Sequence, residues 1–214
     1  MTDNSQTHRL EFHQCAAKGC TRRATGFSRY CAAHRGRYSR TRDPNGRILR
    51  KGRDLAEFRN MADTYLARWK DHPAIVKACE YLESLLTTDS TYTGPMRVHR
   101  DIARELRRLR LDGATGFGML QRITAVAAYA HWHRRTFDDG PCFTVNLGHH
   151  LLRTTARPGS GKVKGKVAFE LGREVRETLG LLLLQVATAI EREATKQVRT
   201  REAIVQALEG EPLA

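Results

Sequence analysis

The sequence predicts a mainly α-helical chain in two parts. A small N-terminal module of knuckle, short hairpin and helix precedes a multi-helix domain that closes on a long C-terminal helix. Three observations carry that expectation. Three cysteines and a histidine crowd between residues 15 and 34, apolar residues recur at helical spacing after residue 54, and positive charge is concentrated ahead of that point.

With 214 residues, 40% of them hydrophobic, the chain can build one medium or two small domains. No apolar run approaches the roughly 18 residues that read as a bilayer span. The longest, Leu179 to Ile190, is interrupted by Gly180, Gln185 and Thr188. Residues 1–12 have neither an apolar core nor a basic leader and are expected to form a flexible tail. The five cysteines are an odd number behind no secretory leader, which argues against a disulfide framework and for a reducing, cytoplasmic setting (the bacterial cytoplasm or nucleoid). Cys79 and Cys142, with apolar neighbours, are expected to be reduced and buried.

The stretch CAAKGCTRRATGFSRYCAAH carries the chemistry. Cys15 and Cys20 enclose four residues, ten more lead to Cys31, and two separate Cys31 from His34. Three thiolates and an imidazole are a donor set for tetrahedral zinc. Gly19 supplies the positive φ that a tight knuckle needs. Cys31 and His34 share a face if a helix starts between them. Gly26 and Ser28 mark a turn between the pairs, with Phe27 and Tyr30 as apolar cover. The ion would be structural, because protein fills all four positions and leaves none for a catalytic water. Residues 13–53 therefore read as a zinc-stabilised basic module with its linker, and 54–214 as the helical domain.

From His8 to Arg53 there are thirteen Lys and Arg against Glu11 and Asp43, which places most of the net charge of +14 in under a quarter of the chain. Arg22, Arg23, Arg29, Arg35, Arg37, Arg40, Arg42, Arg47, Arg50, Lys51 and Arg53 are the candidate contacts. Arginine dominates, which favours forked hydrogen bonds to phosphate and guanine. A solubilising face mixes both signs; this one does not. Nucleic acid, foremost double-stranded DNA, is the expected partner.

The run CAAKGCTRRATGFSRYCAAHRGRYSRTRDP resembles the small zinc-binding modules of bacteriophage and bacterial proteins, often found beside HNH homing endonucleases. Those modules join a Cys-x4-Cys knuckle, a Gly-aromatic stretch, a Cys-x2-His helix start, a basic helix and a closing Gly-Asp-Pro. The resemblance implies Cys15, Cys20, Cys31 and His34 as ligands, a basic helix through Arg35, Arg37 and Arg40, and DNA binding. It covers residues 15–44 and implies no catalytic activity. Here Arg42-Asp43-Pro44 stands where glycine usually opens the closing turn, so that turn is expected to differ.

Asp43-Pro44-Asn45-Gly46 signals a turn, and Arg47 to Arg53 reads as a basic linker that orders on binding. Asp54 with Glu57 suggests a capping box ahead of an amphipathic helix on Leu55, Phe58, Ala62, Tyr65, Leu66 and Trp69. Pro73 starts the next helix, whose stripe is Ile75, Cys79, Leu82 and Leu86. Both helices are net acidic and read as scaffold. A polar loop spans 87–94. In the helix from Pro95 to Leu111, Val98, Ile102, Leu106 and Leu109 form a narrow seam, and Arg97, Arg100, Arg104, Arg107, Arg108 and Arg110 crowd the rest. That face is either a second nucleic-acid surface or a solvated helix whose arginine stems cover apolar neighbours. Another helix runs from Phe117 to Arg135; the turn before it is slightly long for a helix-turn-helix.

His131, His133, His149 and His150, with Asp138 and Asp139 between, raise a metal-dependent nuclease as an alternative. Their spacing does not make them converge on one helix face, and no HNH pattern is present. Arg157 to Lys162 is not a phosphate loop, because Ala156 and Val163 stand where glycine and Ser or Thr are needed. Strand character is expected at 142–145 and 164–169. From about Phe169, Leu171, Val175, Leu179, Leu182, Leu183, Val186, Ile190 and Ala194 keep near-heptad spacing, and Leu181 to Leu184 is apolar all round. That helix is expected to be the central helix or a homodimer seam over 169–198, with a short final helix at 201–208. The combined expectation is a non-enzymatic DNA-binding protein of phage or mobile-element type with structural Zn2+ and no small-molecule substrate. A nuclease using His131, His133, Asp138 or His149, and an RNA-binding adaptor, are the alternatives.

Overall fold

The computed structural model describes residues 13–87, 96–134, 140–155 and 163–209. Seven helices are present among them: α1 (Ala32–Thr41), α2 (Ala56–Arg68), α3 (Pro73–Thr87), α4 (Arg97–Leu111), α5 (Gly116–Trp132), α6 (Pro141–Leu151) and α7 (Gly165–Glu209). No strand is found among the described residues; the hairpin ahead of α1 is one antiparallel bridge, Gln14 to Arg23. The tail, the polar loop from 88 on, Asp138, Asp139 and the loop 157–162 lie outside the described residues.

The helix at the centre is α5, not α7. From Met119 to Ala130 nearly every residue of α5 is buried, and α2, α3, α6 and α7 all pack on it. Its composition explains this: small residues and aliphatics all round leave no polar face to offer to water. Thr115 caps it, accepting a hydrogen bond from the Gly118 N–H at 3.1 Å. By contrast α7 buries one stripe, Leu171, Val175, Leu179, Leu183, Val186 and Ile190, while Leu181 and Leu184 are 72% and 53% exposed. The leucine run is thus amphipathic in place. The expected final helix at 201–208 is a continuation of α7.

Both expected strands are helical. Pro141 at the first helical position after Gly140 starts α6 across 142–145, and 164–169 enters α7. The two helices touch backbone to backbone. A Cβ on Gly148 would collide with the Ala168 carbonyl, and one on Gly172 with the Thr144 carbonyl. Short β-branched runs misled the reading; the paired glycines were the informative residues.

Two further local expectations give way. Asp54 does not cap α2: its carboxylate turns back to accept from the Arg50 N–H at 2.7 Å and from Arg47 at 3.1 Å. Trp69, placed in the apolar stripe of α2, is 44% exposed. The α4–α5 turn has helix-turn-helix length, but α4 packs against α3 and α7 instead.

The basic linker is fastened to the domain. Leu49 is buried, its N–H donates to Asn146 Oδ1 at 2.8 Å, and its carbonyl accepts from His150 Nε2 at 3.0 Å. Asn146 Nδ2 donates to the Arg47 carbonyl at 3.0 Å. Residues 47–49 therefore lie along α6 as an ordered strap, not as an arm waiting for a partner. At the other end, α1 abuts α7: a Cβ on Gly165 would stand 2.5 Å from the Arg40 carbonyl oxygen.

Candidate metal centre and basic surface

The knuckle forms because its backbone closes on itself. The Cys20 N–H donates to the Ala17 carbonyl, and Gly19 sits at φ 76° in the left-handed region. Cys15 N–H to the Arg22 carbonyl and Ala24 N–H to the His13 carbonyl hold the two sides of the bridge. A second turn, with Gly26 at φ 57°, closes through Thr25 N–H to the Tyr30 carbonyl. The chain then enters α1 directly after Cys31, which brings His34 round in the first turn.

The result gathers Cys15, Cys20, Cys31 and His34. One donor atom from each lies within 4.8 Å of all the others. His34 Nδ1 is 3.3 Å from Cys15 Sγ and 3.4 Å from Cys31 Sγ. A tetrahedral zinc with bonds of about 2.3 Å to sulfur and about 2.0 Å to nitrogen sets such S···N separations at about 3.5 Å. The cluster could hold a metal ion, and three sulfurs with one imidazole suit zinc. Cys15 and Cys31 are buried. The Cys31 N–H donates to Cys15 Sγ at 3.3 Å, a contact that favours a thiolate there. Burial pushes the Cys15 thiol up, but the N–H groups of Cys31 and Ala17, with His34 and Cys20, outweigh it and bring the group down to about 6. Cys20 moves the other way. The Arg22 N–H pulls it down, and burial with the two neighbouring sulfurs outweighs that pull. The thiolate form is therefore favoured at Cys15, and a cation binding beside it would displace the proton that Cys20 holds more tightly.

Cover is thinner than the sequence suggested. Tyr30 packs on Tyr38 with ring centroids 5.3 Å apart, but Phe27 is fully exposed at the turn tip.

The basic residues divide. Arg22, Arg23, Arg29, Arg35, Arg37, Arg40, Arg50, Lys51 and Arg53 are exposed, and Arg42 is half-buried. Arg47 is engaged, reaching Tyr129 Oη at 2.6 Å and Asp54 at 3.1 Å. Burial, then Arg122 and Arg59 nearby, push the Lys51 ammonium down. On α4, Arg97, Arg100, Arg104 and Arg107 are exposed, but Arg104 pairs with Asp101 at 2.8 Å. Arg108 is held by Glu105 at 3.0 Å and by the Leu152 carbonyl at 3.1 Å. Two of the six arginines on that helix are thus paired with acidic neighbours.

The histidines do not assemble. His131 pairs with Glu191 at 2.9 Å, His133 stacks on Tyr129, and His150 is spent on Leu49. Among the described residues the Cys3His set is the sole group of three or more potential metal donors. Because His150 Nε2 faces a carbonyl, that nitrogen carries the proton. Sequence reasoning missed the Asn146–His150 pair; its signal was two hydrogen-bonding residues four apart, on one face of a largely apolar helix.

No protein-family model, curated protein or solved structure matches this chain. No helix among the described residues is long and apolar enough to cross a membrane.

Proposed function

We propose that the chain is a non-enzymatic DNA-binding protein of phage or mobile-element type, whose N-terminal module is fixed by a structural zinc ion on Cys15, Cys20, Cys31 and His34. The observation that carries this reading is the coupling of cluster and charge. His34 sits in the first turn of α1, and Arg35, Arg37 and Arg40 stand exposed on the turns that follow. The helix is poor in apolar residues and is held by packing only at its last turn, against α7, so at its first turns the metal sets where those guanidinium groups stand. Arg22, Arg23 and Arg29 extend the same charge across the knuckle, around exposed Phe27. Guanidinium forks bind phosphate pairwise and read guanine edges in the major groove.

The test is binding of the zinc-loaded full chain to duplex DNA as salt is varied. Log affinity falls linearly with log salt, by about 0.9 per phosphate contacted. Cys31→Ser, or zinc removal by a chelator, weakens binding sharply. Affinity that is unchanged by both rejects the reading, and structured RNA outcompeting duplex DNA favours the adaptor alternative. Metal-dependent strand cutting would promote the nuclease.

A second copy of the chain is the proposed partner of α7, because Leu181 and Leu184 leave an apolar stripe uncovered. Leu181→Glu converting a dimer to a monomer in sedimentation checks it.

A further inference from the structure

Where the last turn of α1, the end of α6 and the first turn of α7 meet, they border a solvent-open cavity of about 500 Å3. Its walls carry Arg40 and Arg42 from the N-terminal module, His149 and Arg153 from the α6 side, and Lys164 and Lys166 from the start of α7. No carboxylate lines it. One acidic group stands close by: Asp101 reaches in from α4 to Lys164 at 2.8 Å. Arg42 and Lys166 have no carboxylate partner among the described residues. Arg40 uses Nε on the Gly36 carbonyl at 3.1 Å, which leaves its terminal nitrogens available.

Arg40, Arg42, Lys164 and Lys166, with Asp101 at Lys164, leave a net positive lining in which like charges repel each other in the folded state. An arriving dianion relieves that repulsion, and it meets donors from several directions. The first turn of α7 adds amide N–H groups without helical partners. His149 lines the same cavity and has a buried ring nitrogen, Nδ1, without a hydrogen-bond partner. Burial, followed by His150 and Arg153, pushes its pKa down to about 4, so the ring is neutral and can donate one N–H. A phosphate group fits this donor set. Its charge is matched by separate cations, and its peripheral oxygens accept guanidinium forks and single ammonium donors alike.

We infer that this cavity is a phosphate-binding site shared by the N-terminal module and the helical domain, with Arg40, Arg42, Lys164 and Lys166 as its cations. The phosphate belongs to a nucleic-acid backbone or to a free phosphate species. In the first case the inference rests on the function proposed above and adds a contact outside the metal module. Because the walls come from both parts of the chain, a bound phosphate also ties α1 to α7.

The experiment uses the zinc-loaded full chain, the exposed-residue double variant Lys164→Gln/Lys166→Gln, whose residues lie outside the metal module, and Lys77→Gln on α3 as a control for loss of surface charge. Each is titrated with inorganic phosphate by calorimetry at low salt, and with duplex DNA across a salt series. Thermal melts confirm that the variants fold. The expected result is phosphate binding that weakens about tenfold or more in the double variant and is unchanged in the control. If DNA affinity and the salt slope also fall, by about 0.9 for a lost phosphate contact, the site takes the backbone. If phosphate binding falls while DNA binding does not, the site stands and takes a free phosphate. Phosphate binding without any DNA binding by the parent chain keeps the site and rejects the proposed function. Parent-like DNA binding with no response to phosphate, and no effect of the double variant, overturns the site alone.

Discussion

The Leu49 N–H donates to Asn146 Oδ1 at 2.8 Å across ninety-seven positions of sequence. This bond, with Asn146 Nδ2 on the Arg47 carbonyl and His150 on the Leu49 carbonyl, turns a basic linker into a fixed strap. The strap sets where the segment carrying the Cys/His cluster joins the helices that follow.

Asn146→Ala should loosen that strap. It orphans the buried Leu49 N–H and one of the bonds to the Arg47 carbonyl, at a cost of about 2–4 kcal/mol. Urea unfolding measures the loss. Amide exchange at Leu49 should accelerate well beyond exchange in α5, and equal acceleration at both would mean a global effect instead.

Gly172→Ala tests the contact between α6 and α7. The added methyl meets the Thr144 carbonyl, which cannot swing aside as a side chain does. A loss of several kcal/mol or a displaced α7 is expected, larger than the roughly 1–3 kcal/mol typical of overpacking. Gly36→Ala on α1, where open space surrounds the position, is the matched control and should cost nothing.

Acid should weaken the fold before carboxylates protonate. Burial, opposed for His150 by its bond to Leu49, lowers both His149 and His150 to about 4. Unfolded histidine titrates near 6.5, so between about 6.5 and 4 the unfolded chain binds more protons than the native one. Stability is therefore complete above that window and is lost as pH falls through it, on the order of 3 kcal/mol per ring if the whole depression is realised. Denaturation at pH 7.5 and 5 under saturating zinc reads this, and His149→Phe should flatten the slope.

Phe27→Ala should leave zinc binding and melting temperature unchanged, since the ring touches water on all sides. If DNA or RNA is the ligand and the ring stacks on a base, affinity falls by about 1–3 kcal/mol. An unchanged affinity would assign Phe27 no part in binding.

The Cys/His cluster was legible because its determinants are local. Spacing, Gly19 and the start of α1 all lie within twenty residues, and each does in the structure what short-range rules ask. The arrangement of the helices was less so. Period and amphipathicity revealed the helices but not that α5 would take the centre, a choice made by its small residues packing on four neighbours. The linker reading failed for the same reason. Nothing in residues 47–53 announces Asn146 and His150, which act from about a hundred positions away.

Arg42 ends α1 at φ 58°, the left-handed corner where glycine is at ease and a residue bearing a Cβ is not. Arginine there forgoes about 1 kcal/mol of conformational ease. Selection for heat resistance alone should then install Arg42→Gly, yielding a sturdier protein with one positive charge fewer. The residue marks a spot where the chain has exchanged some toughness for charge.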